Sequence, residues 1–189
     1  YRGVVEEISD LIPEGSVSVE VYADAHTSTE DMLKQGQEMY TWIPNAHIKY
    51  PIIEAGLEAV ERFVGEGKRV NMTLCFSQEQ AAAVYSATRG AQKGQVFVSP
   101  FIGRLDDRAE NGMDIIKNIL KMYGEGDGHV ELLAASVRTY SHLLKSLAFG
   151  SHIITAPLSV LEQWASNGLE QPPADYVYDT GSLAPIDYK

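Results

Sequence analysis

The chain has 189 residues, 44% hydrophobic and 22% charged, a composition ordinary for a globular protein with one real core. Lys plus Arg number 15 against 26 Asp plus Glu, so the net charge of −11 argues against nucleic acid or an anionic membrane surface as the main partner. The one cysteine, Cys75, excludes an intrachain disulfide and makes a reducing cytoplasm the expected compartment, and no apolar run reaches the roughly 18 residues of a membrane span.

Residues 1–12, "YRGVVEEISDLI", read as an acidic amphipathic helix, without the basic and apolar regions of a signal peptide. "SVSVEVYA" (16–23) is β-branched and short, hence a strand. Residues 29–43 carry apolar side chains at helical spacing after Ser28, a plausible N-cap. "HIKY" (47–50) reads as a strand, 53–67 as a helix closed by glycines, and 69–76 as a strand. Ser77 and Gln80 form a capping-box pattern opening a helix over 77–90.

Residues 95–101 form the next strand, 112–124 a helix, 129–136 a strand and 139–150 a helix ending at Gly150. A strand over 152–157 and a helix over 159–168, with Ser159 as cap, complete the pattern. Residues 169–189, rich in Pro, Gly and Tyr, read as an extension without regular structure or as a contact arm.

Six βα units in a row, after one leading helix, imply an α/β protein with a parallel sheet covered by helices. Neither GxGxxG nor GxxxxGK[ST] occurs. The even, short units favour a (β/α)8 TIM barrel, with 1–168 as the barrel lacking its first two strands and 169–189 as a C-terminal extension. An open six-stranded sheet is the alternative.

Barrel enzymes carry their sites at the C-terminal strand ends. Those ends here offer Glu20, Lys49, Thr73, Ser99 and Ser136, with Arg104 and Arg138 close behind. Strand alternation puts Ser18 with Glu20, His47 with Lys49, and Asn71 with Thr73. A lysine held in a partly apolar interior loses solvation of its charged form, and its free amine can attack a carbonyl. Glu20 could pass protons through a water that Thr73 orients, and two guanidiniums suit a phosphate. Taken singly, each residue has a blander role: surface lysine, solvent-facing glutamate, turn serine, helix-start arginine. His47 has no second histidine or cysteine at metal spacing, so a satisfied or a surface histidine, not a metal ligand, is expected there. The coincidence at successive strand ends carries the active-site reading.

"VNMTLCFSQEQA" followed by "VFVSPFIGRLDD" resembles the paired signature of the transaldolases. "LLAASVRT" and "HIITAPLSVLEQW" resemble that family's seventh and eighth strands, and "HIKYP" stands where it has its lysine strand. The resemblance runs from about Val17 to Trp164. It implies a class I aldolase-type barrel that transfers a three-carbon dihydroxyacetone unit between sugar phosphates, without metal or organic cofactor. Lys49 would form the Schiff base, with Glu20 and Thr73 as acid–base and water-holding partners. Ser99 would line the site, while Arg104, Ser136 and Arg138 would bind phosphate. Fructose 6-phosphate, erythrose 4-phosphate and sedoheptulose 7-phosphate are the implied substrates, and a cytoplasmic homo-oligomer the implied assembly.

Glu20 and Phe101 are the transaldolase choices where related fructose-6-phosphate aldolases usually carry glutamine and tyrosine. The family's first-strand aspartate and "TTNP"-like turn lie outside these residues, and "IIEAG" replaces a Thr-x-Glu-Gly run. The same residues fit two alternative functions: an aldolase that releases its three-carbon unit, and a catalytically incomplete sugar-phosphate-binding protein.

Overall fold

The computed structural model describes all residues, 1–189. In chain order the elements are α1 (Arg2–Leu11), β1 (Val17–Glu20), α2 (Thr29–Tyr40), β2 (Ala46–Pro51), α3 (Glu54–Gly65), β3 (Val70–Cys75) and α4 (Gln78–Ala87). There follow β4 (Val96–Pro100), α5 (Ile102–Asp106), α6 (Gly112–Gly124), β5 (Val130–Ala134), α7 (Tyr140–Ala148), β6 (Ile153–Ile154) and α8 (Leu158–Ser166). All six strands are parallel and lie in the order β1-β2-β3-β4-β5-β6. A doubly wound sheet reverses its strand order at a switch point. This one never does.

The sheet is curled. Asn71 on β3 donates through Nδ2 to Ser18 Oγ on β1 over 2.9 Å, with β2 lying between them. In a flat sheet two strand spacings separate such residues by about 9.5 Å. Six parallel strands in sequence order, curled and backed by helices, make a partial (β/α)8 barrel.

Thirty-five buried apolar residues form one core cluster, with members on the strands and on the helices that cover them. Parallel strands covered on both faces read as near-continuous apolar runs. In β2 all but one residue is buried, and that exception is Lys49. A smaller cluster of Phe97, Leu133 and Ala135 is separate from the main core.

Helix α2 packs unusually close to β2. A Cβ added at Gly36 would stand 1.8 Å from the Tyr50 hydroxyl, so only glycine fits the approach. The capping box expected at Ser77 is incomplete: Ser77 Oγ accepts from Gln80 N, but the Gln80 amide oxygen accepts from Phe76 N, one residue early. The full reciprocal box stands on α2, between Ser28 and Asp31. Helix α8 begins after Pro157, not at Ser159, and makes no side-chain cap bond. Helix α2 also stops at Tyr40, three residues short of the periodic pattern, although Ile43 is still buried.

Residues 169–189 contain no helix, and their one isolated bridge pairs Ala184 with Glu110. They run back over the outer helices as a strap. The Lys145 ammonium on α7 donates to Tyr176 O over 2.6 Å, and Asn118 on α6 donates to Ile186 O over 3.0 Å. At the end, Lys189 exchanges two hydrogen bonds with the Gln78 side chain at the start of α4.

On the inner side of β2, His47 stacks on Phe97 with ring centroids 4.1 Å apart. Its Nε2 lies 2.9 Å from Gly94 O, which can only accept, so Nδ1 accepts from the Ser16 hydroxyl at 2.7 Å. Burial pushes its pKa down to about 4.

Gly36→Ala should cost about 1–3 kcal/mol by overpacking. Tyr50→Phe, which deletes a buried hydroxyl without a partner, should recover part of that loss in the double variant, as read by urea unfolding. The unfolded chain protonates His47 near its ordinary value of about 6.5, the folded chain near 4, so unfolding takes up a proton between those values. Stability should therefore fall as pH drops from about 6.5 to about 4, with a shallower slope in His47→Gln. Asp127 and Glu79, held down to about 2, contribute mainly to the loss at lower pH.

Candidate active site

The register across the sheet sets the site. Glu20 pairs with Lys49, Lys49 with Asn71, and Asn71 with Phe97, so one row crosses four strands. On the inner face this row puts a carboxylate, an amine and an amide side by side. Lys49 Nζ stands 3.0 Å from Glu20 Oε2, and the lysine side chain is 22% exposed. The ammonium lies 5.9 Å from the centroid of the Phe101 ring, within cation–π range.

Below the ion pair runs a hydrogen-bonded relay. Ser99 Oγ donates to Asn71 Oδ1 over 2.6 Å, and the Asn71 amide donates on to Ser18. Asn71 and Ser99 are almost fully buried, so both amide ends are committed and the rotamer is fixed.

These groups line a cavity of about 490 Å³. Glu20, Lys49, Asn71, Ser99, Phe101, Arg104 and Ser136 all border it, together with Ser18. Ser136 lies two residues beyond the end of β5, in the left-handed region at φ 57°, an uncommon conformation for serine and one concentrated at functional sites.

Two expected residues are not on the cavity wall. Thr73 is fully buried, and its hydroxyl has no hydrogen-bond partner. Next to it Leu74 adopts φ 61°, and β3 shifts register against β4 between Met72 and Cys75. Arg138 is turned to Asp107. Its Nη2 lies 2.6 Å from Oδ2, and Nη1 bonds the other carboxylate oxygen, so the pair is bidentate. The Arg138 hydrogen bonds hold the Asp107 carboxyl below its usual range. Arg104, two-thirds exposed, lies 3.9 Å from the same carboxylate.

Asp107 was not singled out from the sequence, although its place three residues after Arg104 in "GRLDD" offers the spacing of a helical ion pair. Gly103 was also missed. A Cβ there would come within 2.5 Å of Ser136 O and 2.6 Å of Arg138 Nε, so the short helix α5 can approach this segment only as glycine. Helix α5 itself, inside "SPFIGRLDD", is too short for periodicity to reveal.

The Transaldolase/Fructose-6-phosphate aldolase family profile matches residues 2–183. A protein of Dehalococcoides mccartyi named "Probable transaldolase" is 41% identical over 169 residues, covering 89% of this chain and 74% of that protein. Another so named, from Paracoccus denitrificans, is 38% identical over 178 residues, covering 92% of this chain and 77% of its own length. A third, from Herpetosiphon aurantiacus, is 38% identical over 169 residues, or 89% and 72%. The fold and these likenesses define an aldolase-type enzyme. The chain belongs to the transaldolase/fructose-6-phosphate aldolase family.

Asn71→Ala should destabilise the fold by about 1–3 kcal/mol, because it leaves the buried Ser99 hydroxyl without its acceptor. Asn71→Ala/Ser99→Ala should cost less than the sum of the two single changes. Denaturant unfolding of the four proteins in this cycle checks it.

Proposed function

We propose that this chain carries a transaldolase site in which Lys49 forms a Schiff base with a ketose phosphate. The observation that supports this reading best is the contact of the Lys49 amine with Glu20 over 3.0 Å, beside a cavity bordered by hydroxyls and an arginine. Carbonyl attack needs the free amine, and Glu20 is the nearest base to take its proton.

The Lys49 nitrogen attacks C2 of the ketose, and the carbinolamine loses water to give the imine. The C3–C4 bond breaks, its electron pair passes into the imine as an enamine, and an aldose leaves. The enamine attacks a second aldehyde, and water then hydrolyses the new imine and frees Lys49. Glu20 gives and takes the protons of imine formation and hydrolysis. The resemblance gives Thr73 the water involved; its unpartnered hydroxyl is free to take one, but it is buried behind the cavity wall, so the water would have to reach it from the cavity. The C4 hydroxyl gives up its proton as the bond breaks, and the same proton returns to the alkoxide formed when the enamine attacks the second aldehyde; the resemblance assigns this transfer to an aspartate with no counterpart among residues 1–189.

Ser99 and Asn71 orient substrate hydroxyls. Arg104, Ser136 and Arg138 hold the phosphate, Arg138 after release from Asp107 or while sharing it. Phe101 carries no hydroxyl, so it cannot protonate the enamine, and this favours transfer to a second aldehyde over release of the three-carbon unit. Donors and acceptors are then fructose 6-phosphate, erythrose 4-phosphate and sedoheptulose 7-phosphate. Residues 1–168 are read as part of a (β/α)8 barrel, 169–189 as its extension, and the enzyme as a cytoplasmic homo-oligomer.

Borohydride trapping tests the proposal. Fructose 6-phosphate with borohydride should label one site, and mass analysis should find the adduct on the peptide containing Lys49. Lys49→Ala should abolish labelling, and an unlabelled wild-type enzyme would sink the proposal. Free dihydroxyacetone appearing without an acceptor aldehyde would assign the aldolase reaction instead.

A further inference from the structure

Arg138 is fixed at both ends. Its guanidinium is held by Asp107, and its backbone N–H donates to His142 Nδ1 over 3.3 Å. His142 is 4% exposed, and its other nitrogen is equally committed. Nε2 lies 2.9 Å from Asp106 Oδ2 and 2.9 Å from the Tyr178 hydroxyl. Because Nδ1 receives the Arg138 N–H, the ring proton sits on Nε2 and points at these two oxygens. Burial lowers the His142 pKa, which favours this neutral tautomer. Asp106 is anchored in turn, since its Oδ1 accepts from Gly112 N over 3.0 Å.

Tyr178 belongs to the C-terminal strap, 36 residues beyond His142. The strap thus reaches the segment that carries Ser136 and Arg138 through one imidazole. We propose that the strap helps set the affinity for phosphate, with Tyr178 and His142 as positioning residues that hold the Arg138 backbone where its guanidinium meets the substrate. This rests on the reading that Arg138 binds the substrate phosphate. Neither positioning residue borders the cavity, nor does Arg138 while Asp107 holds it, so their effect reaches the substrate through Arg138 once its guanidinium turns from Asp107.

The test compares a phosphorylated with an unphosphorylated ketose in the full chain. Half-labelling concentrations in the borohydride trap are measured for fructose 6-phosphate and for dihydroxyacetone. Loss of one hydrogen bond to the His142 ring should raise the ratio of the two about three- to tenfold in Tyr178→Phe. Val177→Ala, a change at a neighbouring exposed residue, serves as the control. His142→Asn, which keeps an acceptor near the Nδ1 position, should raise the ratio less than His142→Leu, which keeps none. An unchanged ratio in Tyr178→Phe, or equal effects of Asn and Leu, would overturn the inference.

Binding of inorganic phosphate, read by titration calorimetry, separates this inference from the Schiff-base proposal. Weaker phosphate binding by Tyr178→Phe supports the positioning role even if Lys49 is never labelled. Equal binding by variant and wild type rejects it even if Lys49 is labelled.

Discussion

The ion pair between Lys49 and Glu20 depends on a backbone fact, the parallel register of β1 with β2. Side chains alternate along a strand, so a slip of one residue would turn Lys49 into the packed layer under the helices. The apolar neighbours Ile48 and Tyr50 prevent that slip, because both are completely buried on the opposite face. The helix-side core therefore specifies where the amine points. A lysine buried in that core would cost far more than one facing a wet cavity.

The same division runs through the rest of the site. The inner face of the sheet bears the polar row, and the outer face bears the packing. Gly36 lets α2 lie close against β2, and Gly103 lets α5 lie close against the segment of Ser136 and Arg138. Both glycines act by what they leave out. One serves the core beneath Lys49, the other the loop of Ser136 and Arg138 after β5.

Much of this was legible in the sequence. Alternating β-branched and amphipathic runs marked all six strands and seven of the eight helices, because hydrophobic period is a local property. Most of the polar groups bordering the cavity stand at or near the ends of successive strands, where strand alternation and the family signature make them legible, whereas Tyr1, Leu133, Ala135 and Thr155 carry no such mark. What the sequence did not disclose depends on distant contacts. Helix α5 has five residues and no usable period. The engagement of Arg138 by Asp107 joins residues 31 apart, and the contact of Tyr178 with His142 joins residues 36 apart. Thr73 shared a predicted face with Asn71, yet it does not border the cavity. It sits beside the left-handed Leu74, where β3 departs from regular register and strand alternation no longer locates a side chain.

The bidentate clasp of Asp107 on Arg138 makes the carboxylate a resident counter-anion. Any incoming anion must compete with it for a fork of two N–H donors. A monoanion offers Arg138 little that Asp107 does not already provide, whereas a dianion brings more charge to the neighbouring Arg104 as well. On the proposed phosphate-binding role of Arg138, the clasp would set an exchange threshold that an incoming anion has to exceed before the guanidinium turns to it.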